Sequence, residues 1–150
     1  MIQIKRTDSE NKDFIKLVQS LDNELAERDG EEYSFYAQFN KIEEIKFVVI
    51  AYENEKPMGC GGMKEYEPNA MEIKRMFVSF ESRGKGIATK LLSELENWAI
   101  ELAVEKCILE TGKRQAEAIR LYKKNGYNLI PNYGQYAAVE NSLCFEKEIK

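Results

Sequence analysis

The residues from Glu72 to Leu92 carry the strongest chemical signal in this chain: an apolar, strand-like run, then Arg83, Gly84, Lys85 and Gly86, then a helical pattern from Ile87. Gly84 and Gly86 lack a Cβ, so the backbone there can curl and come close to a ligand. A helix starting at Ile87 leaves its first amide N–H groups without internal partners, at the positive end of the helix dipole. Those donors make an anion site, and the charges of Arg83 and Lys85 beside them suit a diphosphate better than a single carboxylate. A plainer reading stands beside this one, because Gly-x-Gly between strand and helix is also a tight connection with solvated neighbours.

What the chain lacks narrows its chemistry further. It has no histidine, which removes every Ser-His and Cys-His mechanism and leaves base work to Asp, Glu, Lys, Tyr or water. Cys60, Cys107 and Cys144 are three in number, far apart and without a Cys-x-x-Cys pair, so neither a metal site nor a disulfide framework is expected. A net charge of −4 argues against a nucleic-acid surface and suits a cationic acceptor. At 150 residues one domain over 1–150 is expected, long enough to bury about 68–70% of its unfolded surface. With no apolar run of signal-peptide or membrane-spanning length, the expected location is the cytoplasm, away from the membrane.

These residues need elements to hold them. Ile2 and Ile4 begin a short strand, which Thr7-Asp8-Ser9 ends while offering a helix cap. Phe14, Leu17, Val18, Leu21 and Leu25 fall at helical spacing over 10–28, closed by Asp29-Gly30. A second, shorter helix is expected over Tyr33–Asn40, its aromatics Phe35, Tyr36 and Phe39 sharing a face that packs on the core, with a wall for a substrate pocket as the other reading. Lys46–Tyr52 and Pro57–Lys64 make a hairpin across a Glu53–Lys56 turn, and Gly59, Gly61 and Gly62 mark a bulge or close backbone approach. Met71–Ser79 is the next strand. The helix from Ile87 to Leu102 leads into a buried strand, Lys106–Glu110, so strand, helix and strand form a crossover with parallel strands. Helix 115–125 ends at Gly126, and strands 127–130 and 142–149 follow, joined by a polar loop.

A dinucleotide-binding unit competes for the same glycines, with Glu110 ending the next strand. Against it, Thr89 stands where a third glycine belongs, and the first glycine lies well past the strand. The stretch instead resembles the acetyl-CoA-binding core of the GNAT superfamily of N-acetyltransferases. That family's loop reads Arg or Gln, two residues, Gly, one residue, then Gly or Ala, and Arg83, Gly86 and Ala88 meet it in register. A second signature, Asn-x-x-Ala-x-x-Leu-Tyr followed by Gly and an aromatic, is matched by Gln115, Ala118, Leu121, Tyr122, Gly126 and Tyr127, with Gln115 departing from Asn.

The resemblance implies an α/β (α+β) fold: a mixed, mostly antiparallel sheet of about six to seven strands with helices on both faces. It implies that acetyl-CoA is the co-substrate, its pantetheine arm lying beside Met76, Phe77 and Val78 and its diphosphate on the amides of Gly84, Lys85, Gly86, Ile87, Ala88 and Thr89. A backbone N–H of Phe77 or Val78 would steady the thioester oxygen. Alkylammonium groups titrate near about 10.4, so an acceptor amine needs a base, for which Glu72 is the family's position and Glu110 the reserve. Tyr122 matches the family's acid for the departing thiolate, and Gln115 touches the cofactor. The expected activity is direct acetyl transfer to the primary amine of a small molecule, without metal; a non-catalytic acyl-CoA sensor of the same shape is the alternative. Lys113, Arg114, Lys123 and Lys124 are candidates for the nucleotide phosphates, and Asp22, Asp29, Glu31 and Glu32 for attracting a cationic acceptor. The acceptor pocket depends on the first helices and the 131–141 loop, and a homodimer is left open.

Overall fold

The computed structural model describes residues 1–29 and 44–150. Its frame is a seven-stranded sheet in the order β1-β2-β3-β4-β5-β7-β6. The strands are β1 (Ile2–Thr7), β2 (Phe47–Glu53), β3 (Lys56–Glu67), β4 (Ala70–Val78), β5 (Lys106–Gly112), β6 (Asn128–Ile130) and β7 (Ser142–Glu148), and the helices are α1 (Lys12–Asp29), α2 (Ile87–Glu101) and α3 (Ala116–Lys124). Every neighbouring pair is antiparallel except β4 with β5, the pair joined through α2. The expected mixed sheet and parallel crossover are therefore present. The helix expected over 33–40, with Gly30, Glu31 and Glu32, lies outside the described residues.

β2 explains why the helices cover both faces. Its residues Val48, Val49, Ile50 and Ala51 are all fully buried, and alternate side chains of a strand point to opposite faces. Val48 and Ile50 pack with Phe14, Leu17 and Val18 of α1, whereas Val49 and Ala51 pack with Leu91, Leu92, Leu95 and Ala99 of α2. The continuous apolar run is the signature of a strand buried on both sides. The β2–β3 connection turns through Asn54 and Glu55 at φ 52° and 67°, the handedness that two-residue hairpins require.

One local expectation needs correcting. Asn11, not the Thr7–Ser9 cluster, caps α1: its Oδ1 accepts the amides of Asp13 at 2.8 Å and Phe14 at 3.1 Å. Asp8 instead accepts the Glu10 amide at 2.9 Å and shapes the approach to the helix.

β4 is irregular where it matters. Cys60 pairs with Phe77 but Gly62 with Lys74, so β4 carries one extra residue, and Arg75 there sits at φ 60°. The bulge inverts the alternation. Before it Met71 and Ile73 face the α2 core; beyond it Val78 does, and Phe77 turns toward α1. The glycines opposite allow close approach: a Cβ on Gly59 would stand 2.7 Å from the Phe77 carbonyl oxygen.

Candidate active site

The bulge also ends the parallel ladder. β4 and β5 pair only from Ala70 with Lys106 to Ile73 with Leu109. Past Ile73 the two strands part, and the β5-facing edge of β4 opens into a cleft of about 290 Å³. Met76, Phe77 and Val78 line it on one side, Gln115, Ala118, Leu121 and Tyr122 of α3 on the other, and the turn from Ser82 to Thr89 closes one end.

That turn is built as the glycines require. Gly84 and Gly86 stand at φ 82° and 77°, a handedness that costs other residues roughly 1–2 kcal/mol. Gly86 is the N-cap of α2, where no side chain caps the helix and no acidic residue occupies the first turn. The amides of Ile87, Ala88 and Thr89 thus begin a fifteen-residue helix with their donors toward the cleft they line. Of the two basic side chains expected here, Arg83 is engaged by the protein: it donates to Glu24 of α1 at 2.7 Å and to the Val78 carbonyl at 2.9 Å. Lys85 is exposed. Across the mouth, the Asn125 amide reaches Thr89 Oγ1 at 3.5 Å and the Leu121 carbonyl at 2.8 Å, linking the end of α3 to the start of α2.

A second, smaller cavity of about 120 Å³ adjoins the first, and Leu21, Met76, Gln115, Ala118 and Tyr122 line both. Its floor is the α1-facing side of β4, where Glu72 and Lys74 stand two residues apart and hence on one face. Glu72 is 1% exposed, and its Oε2 accepts the hydroxyl of Tyr133 at 2.6 Å. The Lys74 ammonium lies 3.7 Å from Glu72 Oε1 and 3.4 Å from the Tyr136 hydroxyl. Burial lowers the affinity of Lys74 for its proton, and burial with the adjacent Glu72 carboxylate raises the Tyr133 pKa well above the ordinary phenol value. Glu110 joins the same wall from β5 and accepts the Ser142 hydroxyl at 2.7 Å.

Tyr133 and Tyr136 come from the 131–141 loop. Asn132 pins that loop by donating to the carbonyls of Val139 at 3.1 Å and Ser142 at 2.9 Å, and Tyr66 packs edge-on against Tyr133 with centroids 5.0 Å apart. Tyr122, 6% exposed, lies where the two cavities meet; burial first, then Glu110, raises its pKa. With its pKa raised the phenol keeps its proton, and the residue lines both cavities.

The structure thus brings Glu72, Met76, Phe77, Val78, Tyr122, Gln115 and the 83–89 turn around one split in the sheet, with Glu110 beside them. Lys113, Arg114, Lys123 and Lys124 are exposed and line neither cavity, and Asp22 is paired with Arg75 at 2.5 Å. Lys74, Tyr133, Tyr136 and Asn125 escaped sequence reasoning. Their signals were the Glu72-x-Lys74 spacing on a buried strand and two tyrosines three apart in a loop.

Strands that part beside an uncapped helix start, with a buried carboxylate and a buried phenol at the gap, define an acyl-CoA-dependent acyltransferase. Comparison with known proteins gives the family. The model of the acetyltransferase (GNAT) family matches residues 12–127, and the chain belongs to that family. It is 31% identical over 138 residues to the IAA acetyltransferase of Azospirillum brasilense, covering 90% of each chain. An acetyltransferase of the GNAT family from Staphylococcus aureus shares the fold with a TM-score of 0.75 at 18% identity, over 100% of both chains. The PaiA N-acetyltransferase of Thermoplasma acidophilum, solved in complex with coenzyme A, does so with a TM-score of 0.73 at 20% identity over 99% of each. No helix among the described residues is long and apolar enough to cross a membrane.

Proposed function

We propose that this chain, as one domain over residues 1–150, transfers the acetyl group of acetyl-CoA directly to the primary amine of a small molecule. The observation that carries this reading is the meeting of two cavities at the β4–β5 split, one bounded by free helix amides and one by a buried carboxylate. When bound, acetyl-CoA supplies a thioester whose carbonyl carbon an amine can attack. The residues fit such a co-substrate: the uncapped start of α2 suits a diphosphate, a Cβ at Gly84 or Gly86 would meet only open space, and the unpaired β4 edge can take an extended arm as an added strand.

Each side chain then has a task. The amides of Gly84 to Thr89 hold the diphosphate. A backbone N–H of Phe77 or Val78 donates toward the thioester oxygen, where charge grows during attack. Glu72 takes the proton of the incoming ammonium, directly or through a water, with the Tyr133 hydroxyl fixing its carboxylate. Tyr122 gives its proton to the departing sulfur, and Gln115 borders the space the arm crosses.

Thiol release from acetyl-CoA over a panel of amines tests the reading. The parent is expected to turn over at least one amine, with Glu72→Gln and Tyr122→Phe each slower in kcat by about 10²-fold or more at unchanged acetyl-CoA affinity. Tight acetyl-CoA binding with no release on any acceptor would overturn it in favour of a sensor.

A further inference from the structure

The small cavity presents charges of both signs on one wall, and this bears on the acceptor. The Lys74 side chain is 5% exposed, yet among the described residues its two polar partners lie at 3.4 and 3.7 Å. A buried ammonium has three donors and ordinarily makes charge-assisted bonds of about 2.7–2.9 Å. Burying a charge with contacts this slack is costly, and an anion entering the cavity would remove the cost. Beside it, Glu72 spends one oxygen on Tyr133 at 2.6 Å and turns the other toward Lys74, while Glu110 adds a second carboxylate to the wall.

We infer that the acceptor is a small amino carboxylic acid, its amine received by Glu72 and its carboxylate by Lys74. This rests on the acetyltransferase reading above and narrows it. A simple amine would satisfy Glu72 and leave the Lys74 ammonium in its long contacts. A molecule whose amine and carboxylate are one or two carbons apart answers both, because it places opposite charges at the separation of the Lys74–Glu72 gap. At about 120 Å³ the cavity is small, which favours an amino acid with a short side chain. Leu21 and Leu25 of α1 offer that side chain an apolar wall. Lys74 is thus a specificity residue, distinct from the acid and the base.

The test compares matched pairs in the thiol-release assay: alanine with ethylamine, valine with isobutylamine, leucine with isoamylamine. The parent is expected to favour the amino acid of at least one pair by about tenfold or more in kcat/KM, since a site built to bond a polar group rejects the analogue lacking it. Lys74→Gln should erase that preference, raising KM for the amino acid by far more than it changes kcat/KM for the matched amine, and Lys74→Arg should keep part of it. Parent kcat/KM equal or higher for every amine would overturn the inference while leaving acetyl transfer intact. So would Lys74→Gln slowing both members of a pair alike, the mark of a lysine that only props Glu72. Should Lys74→Gln fail to fold, the parent ratios and Lys74→Arg decide. Loss of all turnover and acetyl-CoA binding in the parent would instead strike at the acetyltransferase reading itself.

Discussion

Tyr122 stands at the junction of the two cavities, and burial makes it a poorer acid in isolation but a more constant one. Desolvation and the Glu110 carboxylate hold its pKa above the ordinary phenol value, so the proton stays in place at any pH where the enzyme would work. An acid is active while protonated, and a raised pKa moves the loss of activity to higher pH. The kcat profile between pH 8 and 10.5 is therefore expected to show no tyrosine-like fall near about 10. A fall there that vanishes in Tyr122→Phe would contradict the account. Tyr122 and Glu72, which both line the small cavity, were legible, the first from a spaced motif and the second from its place on the core strand. Lys74 and Tyr133 were not, since a lysine on a strand and a tyrosine in a loop most often face water, and only the folded chain brings both onto Glu72.

At the scale of elements, the strand that carries the site is shaped by its neighbour. The glycines of β3 signalled a bulge or close approach, and both occur, but the bulged residue is Arg75 on β4. Nothing in the sequence marks it, because an arginine rather than a glycine takes the positive φ, with its guanidinium tied to Asp22 of α1 at 2.5 Å. The element order along the chain and the parallel crossover were readable because hydrophobic periodicity and connection length are local properties. The cap of α1 was misjudged because several polar residues compete to cap within one short stretch. The glycines differ in what they protect. A Cβ at Gly59 meets the backbone carbonyl of Phe77 at 2.7 Å, whereas at Gly61 it first meets the flexible end of Met76. Gly59→Ala is expected to lower stability in urea by about 1–3 kcal/mol more than Gly61→Ala. Equal losses would mean that the β3–β4 approach is looser than described.

Across the whole molecule, the proposed acid and the proposed base come from opposite faces of the sheet. Tyr122 belongs to the core under α2 and α3, while Glu72 alternates with Met71 and Ile73 of that core and so points toward α1. They share a reaction space only because the sheet opens where β4 and β5 part. An unbroken sheet would wall them off from one another. The same opening leads to the start of α2, so in the proposed mechanism one irregularity in β4 would serve phosphate binding, thioester placement and proton transfer together.

Titration calorimetry of acetyl-CoA into the parent and Gly86→Asp tests this most directly. Aspartate tolerates the left-handed conformation and caps helices well, so the variant should fold, yet it sets a carboxylate where the diphosphate would lie. The account predicts binding to the parent and affinity weaker by about tenfold or more in the variant, as expected for like charges brought together. No heat with the parent, or equal affinity in both proteins, would contradict it.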